Sequence, residues 1–276
     1  TVFLKSFTFL LLFSLSFHLV QAQSFANYPE KNITIIVGFP PGTATDTIAR
    51  ILAERFSNKL GKSFIIENKP GQGGSLGAGI AAQAIPDGHT LLLSATAPFA
   101  TNPHLYAKLN YDSRKSFAPI GLVSWLPYVM VTNPKSGLNS MQDLIEKSKV
   151  EPNKYTFASI GNGSTSHLMM SMLTSQAEIK MTHIPYKGSS QSQTDLIGGQ
   201  VDVTFDTVLT LMPHIKSGKL KALATGGLTR TSFAPDVPTV DELGLKGFNG
   251  GAWLGLFSPA GTPRPIVDRL HKELNT

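Results

Sequence analysis

The chain alternates strand-like and helix-like patterns along almost its whole length. The apolar run Ile33–Val37 is rich in β-branched residues and predicts a strand, and residues 45–60 predict a helix with Leu52 and Phe56 on its apolar side. Further strand-like runs are Thr90–Ala95, Tyr128–Thr132, Thr156–Ser159, Lys221–Thr225, and residues 63–67, 180–185, 201–206 and 253–257. The other helix-like runs are residues 140–149, 165–177, 191–198, 211–217 and 265–274. Strands separated by helices typically form parallel sheets with helices on both faces, so the pattern predicts an α/β protein.

The alternation occurs twice, and the second series interrupts the first. We expect residues 23–125 to begin one lobe, residues 126–226 to form an inserted second lobe, and residues 227–276 to return to the first. Two extended crossovers, near residues 124–131 and 222–226, would join the lobes as a hinge. The cleft between hinged lobes is the default ligand site. No strand follows the last helix, from which we expect a C-terminal truncation.

The first 22 residues differ in character from the rest. Lys5 precedes an apolar stretch at residues 7–20, and Val20 and Ala22 supply small residues at the −3 and −1 positions of a cleavage site. The alternative is a membrane anchor, but the stretch is shorter than the roughly 20 residues that a membrane span needs. The pattern therefore predicts a secretory signal peptide at residues 1–22, and hence a protein of the periplasm.

Charge and cysteine content exclude several classes of function. The 24 basic and 18 acidic residues are scattered, whereas a nucleic-acid surface needs a clustered basic patch. We therefore expect no nucleic-acid partner. The chain has no cysteine, which excludes disulfides, thiolate metal sites and cysteine nucleophiles.

The junction from Val37 to Asp46 indicates an anion-binding site. An apolar strand runs into Pro40-Pro41-Gly42, and a helix begins among Thr43, Thr45 and Asp46. The first N–H groups of a helix lack partners within it, and the positive end of the helix dipole favours an anion. No catalytic group accompanies this junction, which favours binding an acid over transforming one.

Motifs for a nucleotide or a metal are incomplete. A dinucleotide-binding pattern that starts at Gly71 and Gly73 requires a third glycine at position 76, which is Leu76. A later register that starts at Gly77 lies inside a predicted helix and not at a strand-to-helix turn. The histidines show no metal-ligand spacing. We expect neither a cofactor nor a metal.

Three polar residues of the second lobe are candidates for the site. Ser164 lacks the flanking glycines of a hydrolase nucleophile elbow and is expected to cap a helix. His167 follows three residues later and either contacts a ligand or lies at the surface. Asp206 ends an apolar strand, where open α/β sheets bind ligands, so we expect it to line the cleft. No catalytic residue is predicted.

Many short blocks, in order and spacing, resemble one family. They are Tyr28-Pro29, the junction at residues 37–46 with Ala49-Arg50, Glu67-Asn68-Lys69-Pro70-Gly71, Pro86-Asp87-Gly88-His89-Thr90-Leu91, Asn102-Pro103-His104-Leu105-Tyr106, Phe117-Ala118-Pro119-Ile120, Gly161-Asn162-Gly163-Ser164, Pro185-Tyr186-Lys187-Gly188, residues 195–202, residues 235–239 and Pro259-Ala260-Gly261-Thr262-Pro263. Together they resemble the periplasmic solute receptors of the tripartite tricarboxylate transporter system, of the Bug type. The resemblance covers essentially the whole chain after the signal peptide.

The resemblance implies a type II periplasmic-binding-protein fold, with two α/β lobes that have central mixed sheets and a two-strand hinge. Such a receptor is expected to be a monomer, to close on a small mono-, di- or tricarboxylic acid, and to deliver it to integral-membrane transporter subunits. The ligand-binding residues that the resemblance implies are Phe39, Pro40, Gly42, Thr43, Ala44, Thr45 and Asp46 in the first lobe, Ser159, Gly161, Gly163, Ser164, Thr165 and His167 in the second, Asp206 and Thr207 at its edge, and Ser94, Ala95 and Thr96 as the remaining wall.

One departure from the family pattern concerns Thr43, where these receptors usually have a second glycine. If that position needs a positive φ, a threonine there is strained. Alternatively the loop shifts and the hydroxyl becomes an extra donor or a steric limit. Two other functions stay open on the same fold: a ligand-sensing module for a signalling partner, and a secreted hydrolase that uses Ser164 with His167.

Overall fold

Two five-stranded sheets organise residues 27–276, the part of the chain that this computed structural model describes. The strands are β1 (Ile33–Val37), β2 (Phe64–Asn68), β3 (Thr90–Ala95), β4 (Phe117–Leu126), β5 (Tyr128–Thr132), β6 (Thr156–Ser159), β7 (Thr182–Pro185), β8 (Val203–Thr207), β9 (Lys221–Thr225) and β10 (Ala252–Pro259). The strand order is β2-β1-β3-β10-β4 in lobe 1 and β7-β6-β8-β5-β9 in lobe 2. The expected signal peptide lies outside the described residues.

Both sheets are mixed. In lobe 1, β1 pairs in parallel with β2 and β3, and β10 is antiparallel to β3 and β4. In lobe 2, β6 pairs in parallel with β7 and β8, and β5 is antiparallel to β8 and β9. The prediction of two α/β lobes with mixed sheets is confirmed. The central strands are continuous apolar runs because both of their faces are buried under helices.

The helices cover these sheets. They are α1 (Ala44–Leu60), α2 (Ser75–Ala82), α3 (Asn102–Leu105), α4 (Met141–Val150), α5 (Thr165–Gln176), α6 (Ser189–Ile197), α7 (Val208–Lys216) and α8 (Arg264–Leu274). Thr43, Ser140 and Ser164 cap α1, α4 and α5, and each hydroxyl accepts a backbone N–H from the first turn. No helix within residues 27–276 combines the length and the apolar character of a membrane-spanning segment.

The lobes are joined where β4 leads into β5 through Pro127 and where the chain returns near Gly226 and Gly250. The N–H of Gly226 donates to the carbonyl oxygen of Tyr128 at 3.0 Å, and the N–H of Gly250 donates to the carbonyl oxygen of Gly226 at 2.7 Å. The two connections are therefore hydrogen-bonded to each other, an arrangement that suits a hinge.

The segment after β9 contacts lobe 2 before the chain enters β10. The N–H of Val240 donates to the carbonyl oxygen of Thr225, and the Phe248 ring stacks on Phe205 of β8 at 6.0 Å between centroids. Residues up to about Phe248 thus pack on lobe 2, and the chain enters the sheet of lobe 1 at Ala252.

Candidate functional site

A small cavity lies between the lobes, at the carboxyl ends of β3 and β8. Lobe 1 contributes Phe39, Thr43, Ala44, Thr45, Ala95 and Leu126; lobe 2 contributes Tyr128, Ile160, Thr165, Ser189, Asp206 and Thr207. We call it the inner cavity. Its volume is about 20 Å³, close to what a single buried water needs. An organic acid therefore enters only if the lobes or the lining side chains move apart.

An outer cleft of about 600 Å³ adjoins the inner cavity. Phe39 and Ile160 line both spaces and separate them. The Phe39 ring rests on Gly74, where an added Cβ would lie 2.9 Å from the ring. The other residues of the outer cleft are Gly38, Pro40, Pro70, Gly71, Gln72, Gly73, Tyr106, Gly161, Asn162, Pro185, Tyr186 and Lys187.

The first loop of the inner cavity is built around Thr43. Gly42 has a φ of +82°, so the left-handed position of the loop is taken by glycine. Thr43 is extended, with φ −75° and ψ 160°, and the expected strain is absent. Its hydroxyl donates to the carbonyl oxygen of Pro40 at 2.9 Å and accepts the N–H of Asp46 at 3.4 Å. Thr43 thus lines the cavity while its hydroxyl closes the loop.

Asp46 holds this loop and does not line the inner cavity. Its carboxylate accepts the N–H of Gly42 at 3.0 Å, the Nδ2 of Asn68 at 2.9 Å, and Nε and Nη2 of Arg50 at 3.1 and 2.9 Å. Burial acts to raise the pKa of this carboxyl, but the hydrogen bonds from Arg50, Asn68 and Gly42 outweigh it and hold the pKa below its ordinary value. The Asp46–Arg50 pair is therefore a structural clamp.

The second loop, at the start of α5, is held in the same way by its own side chains. The buried Ser164 hydroxyl donates to the carbonyl oxygen of Gly161 at 2.6 Å and accepts the N–H of His167 at 3.4 Å. The N–H of Gly163 donates to Nδ1 of His167 at 3.2 Å. Since Nδ1 accepts that bond, His167 is not positioned as a base for Ser164, and the pair does not form a nucleophilic site.

His167 is neither a lining residue of the inner cavity nor a free surface group. Its ring stacks on His183, with centroids 4.1 Å apart and planes inclined by 8°, and His183 stacks in turn on Phe157. Nε2 of His183 forms a hydrogen bond of 2.7 Å with the Ser159 hydroxyl. Burial lowers the pKa of both imidazoles, and with the added effect of His167 the pKa of His183 falls to about 4.

Helix starts from both lobes meet at the inner cavity. Ala44 and Thr45 begin α1, Thr165 begins α5, and Ser189 begins α6. Within residues 27–276 the backbone N–H groups of these four residues have no hydrogen-bond partner. Unpaired N–H groups at helix starts carry partial positive charge, so the cavity is suited to an anion.

Asp206 ends β8 and lines the inner cavity at 1% exposure. Its carboxylate accepts the N–H of Thr207 at 2.7 Å and Nε2 of Gln193 at 3.2 Å. Burial raises the pKa of this carboxyl, and hydrogen bonds offset only part of that effect. Burial also raises the pKa of the neighbouring Tyr128, and the charge of Asp206 adds to the increase.

The lobes touch across the cleft. The hydroxyl of Tyr106 donates to the carbonyl oxygen of Asn162 at 3.4 Å. Gly188 lies so close to Pro40 that an added Cβ would be 3.0 Å from the proline Cγ. The described arrangement is therefore a closed one.

The structure brings together eight of the expected site residues at the inner cavity, namely Phe39, Thr43, Ala44, Thr45, Ala95, Thr165, Asp206 and Thr207. Pro40 and Gly161 line the outer cleft. The remaining expected residues line neither space. Ser94 is buried in β3, and the Thr96 hydroxyl accepts the N–H of Trp253. The others have the supporting contacts described above; they are Gly42, Asp46, Ser159, Gly163, Ser164 and His167. The sequence reasoning missed Leu126, Tyr128, Ile160 and Ser189.

Ser189 could have been found from the sequence. Gly188 precedes it, and glycine is accepted at a helix N-cap, yet the predicted helix began two residues later.

Within residues 27–276 there is no group of three or more side chains that could hold a metal ion.

Comparison with known proteins shows the family to which the chain belongs. Residues 48–276 match the family model described as the tripartite tricarboxylate transporter family receptor. Among solved structures, the periplasmic binding protein BugD is 41% identical, with a TM-score of 0.85, and the match covers 90% of this chain and 82% of BugD.

Two similar structures hold acids. Rpa4515 of R. palustris with adipate is 30% identical, with a TM-score of 0.87, over 90% of this chain and 83% of the other. MatC (Rpa3494) from Rhodopseudomonas palustris with bound malate is 33% identical, with a TM-score of 0.85, and the match covers 90% of this chain and 84% of MatC.

Proposed function

The chain belongs to the tripartite tricarboxylate transporter receptor family, whose members are periplasmic solute-binding proteins, and we propose that it binds a small carboxylate in the inner cavity. Under this proposal the protein works in the periplasm and passes its ligand to the membrane subunits of a tripartite transporter. It performs no chemistry on the ligand.

The observation that carries the proposal is the meeting of unpaired N–H groups from helix starts of both lobes. Ala44 and Thr45 offer donors from lobe 1, and Thr165 and Ser189 offer donors from lobe 2. A carboxylate that accepts bonds from both sides links the lobes, so ligand binding and closure stabilise each other. No lysine or arginine of the described chain lines the inner cavity, so backbone groups supply the positive potential.

The closed lobes support a hinge mechanism. The inner cavity is too small for an organic acid as it stands, and Phe39 and Ile160 separate it from the outer cleft. Ligand entry therefore requires opening about the connections at Pro127 and Gly226, and closure then removes the acid from water. Acids bound by similar proteins, adipate and malate, favour the same class of ligand here.

A thermal-shift screen tests the proposal. The purified chain is heated with each of several dozen organic acids, malate, succinate, adipate and citrate among them, and with the neutral diamide of succinate as the matched control. An acid at 100 times its Kd should add about 2.7 kcal/mol to the free energy of unfolding, whereas the diamide should add nothing. If none of several dozen acids raises the Tm, or if the diamide raises it equally, the protein is not a carboxylate receptor.

A further inference from the structure

Two stacked imidazoles hold the turn that precedes α5. The N–H of Gly163 donates to Nδ1 of His167 at 3.2 Å. The N–H of Gly161 donates to the hydroxyl oxygen of Ser159 at 3.2 Å, and that oxygen lies 2.7 Å from Nε2 of His183. Each end of the turn is therefore tied to one of the two rings, either directly or through Ser159.

This turn lies between two residues of the inner cavity. Ile160 comes directly before it and also separates the inner cavity from the outer cleft. Thr165 begins α5 after it and presents one of the unpaired N–H groups proposed to bind the carboxylate. The carbonyl oxygen of Asn162, inside the turn, accepts the hydrogen bond from Tyr106 of lobe 1. A movement of the turn therefore affects the site and the contact between the lobes together.

The contact to Gly163 fixes the protonation state of His167. An imidazole nitrogen that accepts an N–H carries no proton, so the ring of His167 is neutral here, with its proton on Nε2. Burial lowers the pKa of both imidazoles, which agrees with the neutral state near pH 7. Both rings are only half-buried, so protons from the solvent reach them.

No other titratable group of the surrounding elements acts on the pair. The two histidines are the only titratable residues of α5, β6 and β7. The neighbouring elements β8 and α6 carry Asp206 and Asp195, and each of these carboxylates bonds to a side chain within lobe 2. Within residues 27–276 the one charge effect on the pKa of either imidazole is that of His167 on His183. The pair therefore takes up a proton without a counter-ion.

Protonation of His167 removes the acceptor that positions the turn. A protonated Nδ1 is a donor, so it no longer accepts the N–H of Gly163. Gly163 is buried, so its N–H is left without a partner and the turn must rearrange to satisfy it. An imidazolium would also attract an acid, but neither ring lines the inner cavity, so we expect the lost contact to dominate.

We propose that protonation of His167 releases the turn at residues 161–163 and thereby lowers the affinity of the receptor for its acid. This inference rests on the proposed function and adds a pH control to the same site. Since coupling between two binding events is reciprocal, an acid that binds lowers the affinity of His167 for its proton by the same factor. The receptor then captures an acid at neutral pH and releases it as the surroundings become acidic.

The change of Kd with pH in three chains tests the proposal. Calorimetric titration measures Kd at a pH of about 7.5 and of about 5 for the wild-type chain, His167→Asn and His167→Ala. The probe is the acid that gives the largest shift in the thermal-shift screen. Asparagine keeps an acceptor oxygen in place of Nδ1 and does not titrate, whereas alanine removes the acceptor. Circular dichroism checks that each chain is folded at both pH values.

We expect the Kd of the wild-type chain to rise about threefold or more, relative to that of His167→Asn, as the pH is lowered. The ionisation of the acid itself affects both chains equally and cancels in this ratio. His167→Ala should bind weakly at both pH values, as the acidified wild-type chain does. His104→Gln alters an exposed histidine and should keep the wild-type change.

Proton release on binding provides a second measurement. Titration at a pH of about 6, in buffers of different ionisation enthalpy, counts the protons that the wild-type chain expels. This count decides even if a variant fails to fold, because the share of the acid follows from its own pKa values. No release beyond that share, an equal change of Kd in the wild-type chain and His167→Asn, or tight binding by His167→Ala at both pH values would overturn the inference and leave the carboxylate receptor intact. If no acid of the screen binds at neutral pH, the proposed function itself fails.

Discussion

The Tyr106 hydroxyl of lobe 1 donates a hydrogen bond to the carbonyl oxygen of Asn162 in lobe 2, at 3.4 Å. Such a bond exists only while the lobes are closed, so it stabilises the closed form relative to the open one. We expect Tyr106→Phe to weaken ligand affinity by about 0.5–1 kcal/mol, or roughly two- to fivefold in Kd. Calorimetric titration with an acid found in the thermal-shift screen measures the change.

The matched control is Tyr155→Phe, because the Tyr155 hydroxyl makes no hydrogen bond within residues 27–276. Its Kd should equal that of the wild-type chain. An unchanged Kd in Tyr106→Phe would show that this bond does not contribute to closure.

The clamp between Asp46 and Arg50 should matter for both stability and binding. Asp46→Asn removes the charge that Arg50 and the N–H of Gly42 bind, in a group that is 3% exposed. We expect a loss of about 1–3 kcal/mol in the free energy of unfolding, with weaker acid binding because the loop before α1 loosens. Urea denaturation measures the free energy of unfolding, and calorimetric titration with the acid measures Kd.

An exposed ion pair on α8 provides the control for the buried Asp46–Arg50 pair. Arg264 and Asp268 are also four residues apart, with an Nε–Oδ1 distance of 2.8 Å, but 82% and 54% of their side chains are exposed. Asp268→Asn should change stability by less than about 0.5 kcal/mol and leave Kd unaltered. Equal effects of the two variants would argue against a special role for the Asp46 clamp.

Ser164→Ala should separate helix capping from ligand binding. Its hydroxyl caps α5 and also closes the turn at Gly161. We expect a loss of about 1–2 kcal/mol in the free energy of unfolding and a weaker affinity for the acid, since the donor at Thr165 follows directly. Ser140→Ala removes an equivalent cap, on α4, away from the cavity. It should cost similar stability with no change in Kd; if the two variants bind the acid equally well, Ser164 is purely structural.

Stability should fall in mild acid because of the stacked histidines. The pKa of His183 lies at about 4 in the folded chain, against 6.5 for an unperturbed imidazole. Between these values the unfolded chain binds a proton that the folded chain does not, so the free energy of unfolding decreases as the pH falls from about 6.5 towards 4. In His183→Gln the same range should show a shallower slope of Tm against pH.

The exposed His104 provides the control for this titration. His104→Gln should keep the wild-type slope between pH 6.5 and pH 4. If His183→Gln also keeps that slope, the stacked pair does not govern the acid sensitivity of the fold.

Much of the fold could be predicted because the alternation of patterns is strong. The bounds of β1, β3, β5, β6 and β9 agree with the prediction to the residue, and so do the caps at Ser140 and Ser164. The first part of β4 was missed because Pro119 and Gly121 interrupt its apolar pattern. The helical segment from Ala97 to Leu105, which ends in α3, was missed because it contains Pro98 and Pro103.

The directions of polar side chains were harder to predict than the elements that carry them. Asp46 was expected in the ligand site, but Asn68, 22 residues away, helps to draw it into the loop. His167 is held by His183, 16 positions further along the chain. Contacts between residues so far apart in the chain produce no periodic pattern in the sequence, so residue spacing alone could not assign these roles.

The close approach of Gly188 to Pro40 fixes how far the lobes can come together. A side chain at position 188 would meet the proline ring before closure is complete, since its Cβ would already lie 3.0 Å from Cγ. Replacement of this glycine by a bulky residue should block closure sterically and hold the receptor open while both lobes keep their folds. Such a trapped form would let the open state be studied apart from any ligand.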